Sequence, residues 1–240
     1  MKKLIFLFLF LISGLTITRS QVLISIIFGD KLNGPNLEFG LNAGANLSIL
    51  SNVENAKFNP GFGIGMYFTW KFHKDLQLQP ELFFRFPGGT RKLPPYNIYT
   101  PSLDSLIENS DIIRHSIYFS LPINIKYRIW KELRISFAPQ ISYMTKNNDY
   151  FVKSLEEDDE FIYHRESRRD LNRWDFGLSA GLSYKLKQGK GINLEARFYY
   201  GLVDTDNIVP GKSLKNRSIC LYVGIPIGAE KDVTNDQKEQ

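Results

Sequence analysis

The feature that most constrains this chain is alternation of apolar and polar residues, repeated in eight separate runs. A period of two places successive side chains on opposite faces of an extended strand, so each run has one apolar and one polar face. In 115–129, HSIYFSLPINIKYRI, one face carries Ile117, Phe119, Leu121, Ile123, Ile125, Tyr127 and Ile129. The other carries Ser116, Tyr118, Ser120, Pro122, Asn124, Lys126 and Arg128. The same template fits 37–50, 60–72, 76–86, 133–143, 173–186, 191–203 and 217–228. In 76–86 it puts Phe84 and Phe86 on the apolar face and Glu81, Phe83 and Arg85 on the polar one. A tilted strand crosses a bilayer in about 9–11 residues, and every run reaches that length.

The connections alternate as well. Short ones fall at 73–75, 130–132 and 187–190, and long ones at 51–59, 87–114, 146–172 and 204–216. An even-stranded transmembrane barrel with both ends on the periplasmic side has this rhythm of tight inner turns and long outer loops. The expected fold is therefore all-β, an eight-stranded antiparallel transmembrane β-barrel over 37–228. A soluble lipocalin-like binding barrel in the periplasm would alternate too, with its apolar face turned inward around a ligand. Three features favour the membrane barrel. The apolar stripes run the whole length of each strand. Trp70, Tyr127, Trp130, Tyr143 and Trp174 sit near strand ends, where an aromatic girdle belongs. The polar face is rich in Gly and Ser, which suits a crowded lumen better than a hydrated surface.

If the polar face lines the lumen, the strands place Glu38, Glu81, Arg85, Lys126, Arg128, Arg134, Asp175, Lys185, Glu195 and Arg197 inside. An eight-stranded interior is just wide enough to be filled by side chains. Buried charges must then pair or hydrogen-bond. The expectation is a structural charge network that plugs the barrel; a narrow small-solute channel is the alternative.

Ahead of the first strand, Lys2 and Lys3 followed by the apolar run 4–15 read as an export signal, with cleavage before Gln21. Residues 21–36 then form a periplasmic segment whose VLISIIF stretch, 22–28, rests at the base of the barrel, and 229–240 is a polar tail. The stretches VLISIIFGDKLN (22–33), LEFGLNAGANLS (37–48) and LNRWDFGLSAGLSYKL (171–186) resemble the PorT-like group of Gram-negative outer-membrane β-barrel proteins. The resemblance implies an exported outer-membrane barrel and, for some members, a part in protein secretion; it supplies no catalytic residues. The chain departs from the many outer-membrane barrels that finish on a terminal aromatic, since a polar tail follows its last strand, and the assembly signal is therefore expected internally, near 222–227.

Chemistry is sparse. A net charge of +5 would permit a nucleic-acid partner, but Lys and Arg are scattered singly rather than gathered in a stripe, so none is expected. The single Cys220 excludes an internal disulfide, and no cluster has metal-ligand spacing. His73, His115 and His164 fall at turns, rims and loops, and Ser116 points away from His115. The acidic run 156–160 lacks the alternation and Gly of a calcium loop. The expectation is a monomeric, non-enzymatic barrel without cofactor. Its partners would be outer-membrane lipid and lipopolysaccharide, together with secretion-apparatus or envelope proteins met by irregular outer loops.

Overall fold

The computed structural model describes Gly34 and residues 36–154, 160–168, 171–186, 191–205 and 213–227. The expected export signal, the 22–33 segment, the acidic loop residues 155–159 and the tail from 228 lie outside the described residues. The elements are β1 (Leu37–Leu50), β2 (Asn59–Lys71), β3 (Leu76–Leu93), α1 (Pro101–Ile107), β4 (Asp111–Trp130) and β5 (Leu133–Ser154). They continue with β6 (Glu160–Glu166), β7 (Trp174–Lys185), β8 (Asn193–Gly201) and β9 (Asn216–Pro226).

Eight of these strands close a ring. Each of β1 to β5 pairs with the next, β5 pairs with β7, and the series runs through β8 and β9 back to β1. Every neighbouring pair is antiparallel. Closure leaves no free sheet edge within the ring, which is what lets strands cross a bilayer with all their backbone groups satisfied. The alternation sets the two faces as expected. Trp70, Ile125, Leu182 and Leu221 stand outward with exposures of 53%, 49%, 49% and 58%. Ser120, Asn124, Gln140 and Ser179 are buried inside. This polarity overturns the lipocalin-like alternative, in which the apolar residues would point inward.

The lumen glycines answer the bulk of the inward aromatics. A Cβ on Gly177 would lie 2.6 Å from the Tyr199 ring, and one on Gly63 would lie 2.9 Å from that of Tyr222. Gly40 makes room for Tyr67 in the same way. An interior this narrow admits large rings only where the facing strand carries no side chain.

Two expectations fail at β-bulges. The β2–β3 register passes from Gly65–Phe83 to Ile64–Arg85, so Phe84 has no opposite number and the parity of β3 flips. Arg85 therefore lies outside, donating from Nε to Phe62 O at 3.1 Å, and Phe86 turns inward and is buried. A second bulge at Thr145 shifts β5, because Tyr118 pairs with Met144 while Ile117 pairs with Lys146. Past these bulges the chain stays extended, although loops were expected. Residues 87–93 of β3 pair with 112–117 of β4, and β5 runs on to Ser154, where β6 adds a ninth strand at its outer end. The connection 146–172 is thus largely strand, while 87–114 is strand only at its two ends, 87–93 and 111–114, with α1 between β3 and β4.

Candidate functional site

The inward side chains form layers along the barrel axis. At the short-turn end is an open cavity of about 670 Å³, bordered by Glu38, Lys126, Arg128, Arg134 and Lys185. Glu38 pairs with Lys185, lies 3.7 Å from Lys71 and accepts a hydrogen bond from Tyr67 Oη at 3.1 Å. Arg134 pairs with Glu132 at 3.2 Å, and Arg128 with Asp75 at 3.2 Å.

Mid-barrel, charge closes the lumen. Arg197 donates to both oxygens of Glu81, at 2.9 and 3.0 Å, and to Glu195 at 2.8 Å. Lys126 Nζ donates to the other Glu195 oxygen at 3.0 Å. Gln79 donates to Glu81 at 2.6 Å and is itself held by Thr69 at 2.8 Å. Two cations meet two carboxylates, and the four side chains are exposed by 2% or less. Such a cluster is stable inside a barrel only when its geometry is complete, because each unpaired buried charge costs several kcal/mol.

Above the cluster lie the rings of Phe83, Phe86, Tyr118, Tyr199 and Tyr222, packed with Met144 and Cys220. Asp175 sits in this layer and accepts a hydrogen bond from Asn216 Nδ2 at 2.8 Å. A polar chain completes it: Ser179 donates to Gln140 at 2.8 Å and Gln140 to Ser120 at 2.8 Å. Of the ten charged positions expected in the lumen, four meet mid-barrel, four line the mouth, Asp175 stands apart, and Arg85 is outside.

At the far end the extended strands build a packed cap. Leu50, Leu93, Ile107, Ile112, Phe151 and Leu214 form an apolar cluster there. Beside it Arg114 grips Asp149 through Nε at 2.9 Å and Nη2 at 2.8 Å. Tyr96, Ser167 and Asn147 also donate to that carboxylate, at 2.8, 2.9 and 3.1 Å. Burial alone would push the Asp149 carboxyl up. The Arg114 charge and these donors outweigh it and hold the carboxyl below its ordinary value. Tyr96 is pushed up to about 12 by burial and the Asp149 charge. Arg114 and Tyr96 fall in the 87–114 stretch expected to be a loop, and the Thr145 bulge hides the parity that turns Asp149 inward.

On the outward face of the cap, Tyr150 stacks on His164 at 4.9 Å and meets His115 edge-on at 5.6 Å. His115 also contacts Asn59 Nδ2 at 3.1 Å. Loss of hydration, with the Arg91 and Arg85 charges, holds His115 below its ordinary value. Ser116 is buried on the opposite face, bonded to Asn147. Among the described residues no group of His, Cys, Asp and Glu is arranged to hold a metal ion.

The girdle residues fall into two belts. Trp70, Tyr127 and Trp130 lie outward beside the short turns. Tyr143 and Trp174 pair at 4.8 Å at the other end, below the cap. Between the belts the outer face is apolar.

The family model for an outer membrane protein beta-barrel domain matches residues 30–207. The chain belongs to this family. It is an outer-membrane β-barrel of the Gram-negative envelope, so the short turns face the periplasm and the cap faces outward. Among solved structures it is similar to the attachment invasion locus protein Ail of Yersinia pestis, at 13% identity over 80% of this chain and 98% of that one, with a TM-score of 0.42. Neisserial surface protein A is similar at 16% identity over 79% and 96%, with a TM-score of 0.37. OprG of Pseudomonas aeruginosa is similar at 11% identity over 80% and 93%, with a TM-score of 0.37. No curated protein matches the chain.

Proposed function

We propose that this outer-membrane barrel is a closed, non-enzymatic scaffold that acts by binding at its outer cap. The observation that carries the reading is the contrast along its axis: a charge-locked lumen below and an internally packed, partly apolar platform above. Side chains that fill the lumen leave the chain's outer surface as the place for specificity, and surface loops on a rigid scaffold are where binding residues concentrate. The outward face of the β5–β6 hairpin presents Tyr150, Val152, Ile162 and His164 beyond the membrane belt, with Ile162 56% exposed. Lipopolysaccharide surrounds this region of an outer-membrane barrel. The PorT-like resemblance of the sequence adds the finer reading that the partner is a protein of secretion or envelope assembly, reached by a precursor whose residues 1–20 serve export.

The test is affinity capture of the intact barrel from detergent-solubilised outer membrane, beside a Tyr150→Ser/Ile162→Ser variant. Recovery of secretion or envelope subunits by the wild type and their loss in the variant is the expected result. Recovery of the barrel alone in both would overturn the reading.

A further inference from the structure

The cavity at the periplasmic mouth has a composition that the scaffold reading does not use. Six cationic side chains border it: Lys71, Lys74, Lys126, Arg128, Arg134 and Lys185. Glu38 and Glu132 are the two carboxylates among the bordering residues, so the wall carries an excess of four positive charges. Ion pairs to carboxylates behind the wall cancel part of this excess, since Lys126 is held by Glu195 and Arg128 by Asp75. Lys71 and Lys185 share the single Glu38, however, and Lys74 adds a further charge, so two positive charges remain uncompensated (six cations against Glu38, Glu132, Glu195 and Asp75). Arg134 is 7% exposed, and its Nε is buried without a hydrogen-bond partner while Nη1 is spent on Glu132. A buried guanidinium with an unused donor is costly unless an acceptor arrives. The mid-barrel cluster closes the ceiling through Lys126, which makes this a blind pocket open to the periplasm. A net charge of one sign between low-dielectric walls concentrates the field inside such a recess and draws in counter-charged solutes.

We infer that the periplasmic mouth is a binding site for a compact, multiply charged phosphate-class anion. Its volume of about 670 Å³ lies within the range of sites that hold small organic ligands, which runs from about 300 to 1,000 Å³. Arg134 would supply planar, directional donors, and Lys185, Lys71 and Lys74 would supply mobile ammonium charges, the combination that suits phosphoryl oxygens. The same chemistry is offered by a free polyphosphorylated solute and by the headgroup of an anionic phospholipid of the periplasmic leaflet.

Isothermal titration of the full-length barrel in an uncharged detergent with inorganic pyrophosphate tests this. Saturable binding that weakens with added salt is expected. It should weaken at least about tenfold in Arg134→Gln/Lys74→Gln, which removes one charged donor and one further charge. Arg165→Gln, in β6 at the outer cap, should bind as the wild type does. If the double variant fails to migrate as a folded barrel, Lys74→Gln, in an exposed turn, takes its place and should still weaken binding. Competition by phosphatidylglycerol added to the micelles would assign the site to a lipid headgroup, and its absence to a free solute. No saturable binding at millimolar pyrophosphate would overturn the inference. So would undiminished binding in the folded mouth variant, or equal weakening by Arg165→Gln.

Discussion

Replacing Arg197 by Met isolates the charge logic of the lumen. The guanidinium makes bonds to Glu81 and Glu195, and Lys126 also holds Glu195, so its loss orphans Glu81 in particular. Removing one partner of a buried pair costs about 3–5 kcal/mol, because the remaining charge stays desolvated. Met has a similar reach along its stem, so most of the cost is electrostatic. The double variant Arg197→Met/Glu81→Gln restores neutrality: Lys126 and Glu195 remain paired, and Gln79 still has a side-chain carbonyl to donate to. Its cost should fall to about 1 kcal/mol, the scale of ordinary side-chain hydrogen bonds. The coupling between the two positions is then at least about 2–4 kcal/mol, since the cost of Glu81→Gln alone adds to it, and a double-mutant cycle resolves a term of that size. Urea unfolding of the barrel folded into phosphatidylcholine vesicles measures all four corners of the cycle. If the double variant is as unstable as Arg197→Met alone, the defect comes from lost packing against the Tyr222 ring, 5.8 Å away, and the electrostatic argument fails.

Three further perturbations probe the other layers. Gly177→Ala should lower stability by about 1–3 kcal/mol through overpacking against Tyr199, with Tyr199→Leu recovering part of it in the same unfolding assay. Leu221→Arg, at mid-strand on the lipid face, should cost about 2–4 kcal/mol, whereas a neutral result would mean that this face does not meet hydrocarbon. In the cap, Asp149 has a folded value below its ordinary 3.8, so its contribution is present above that value and is lost as pH falls through the lower folded value. Asp149→Asn should speed hydrogen exchange of amides 146–153 at neutral pH while the mid-barrel amides stay protected. Equal exchange in wild type and variant would count against the cap network.

Much of the barrel was legible because period two survives wherever a strand is regular. β4 shows this best: from Ile112 to Lys126 every even residue is buried, as the alternation of 115–129 implies. The failures sit where one extra residue enters a strand. Arg85 and Phe86 exchanged faces because Phe84 is bulged out, and a bulge has no signature in hydrophobic periodicity. The outer part of β5 has no continuous alternation for the same reason, since Thr145 moves Asn147, Asp149 and Phe151 onto the inner parity. The charged positions could be placed in the lumen but not partnered. Arg197 and Glu81 are separated by 116 residues, and nothing local says that they meet while Arg128 and Arg134 stay at the mouth. Asp175 shows the limit of charge counting: an amide, Asn216, supplies a bond expected from a cation.

Glu81, Lys126, Glu195 and Arg197 close the lumen at mid-barrel. Single-channel recording in planar bilayers tests this closure directly. The purified wild-type barrel should give no unitary steps, because the buried ring layer and the packed cap lie above the charged cluster. Reproducible steps from the wild type would contradict the closed lumen and favour a small-solute channel.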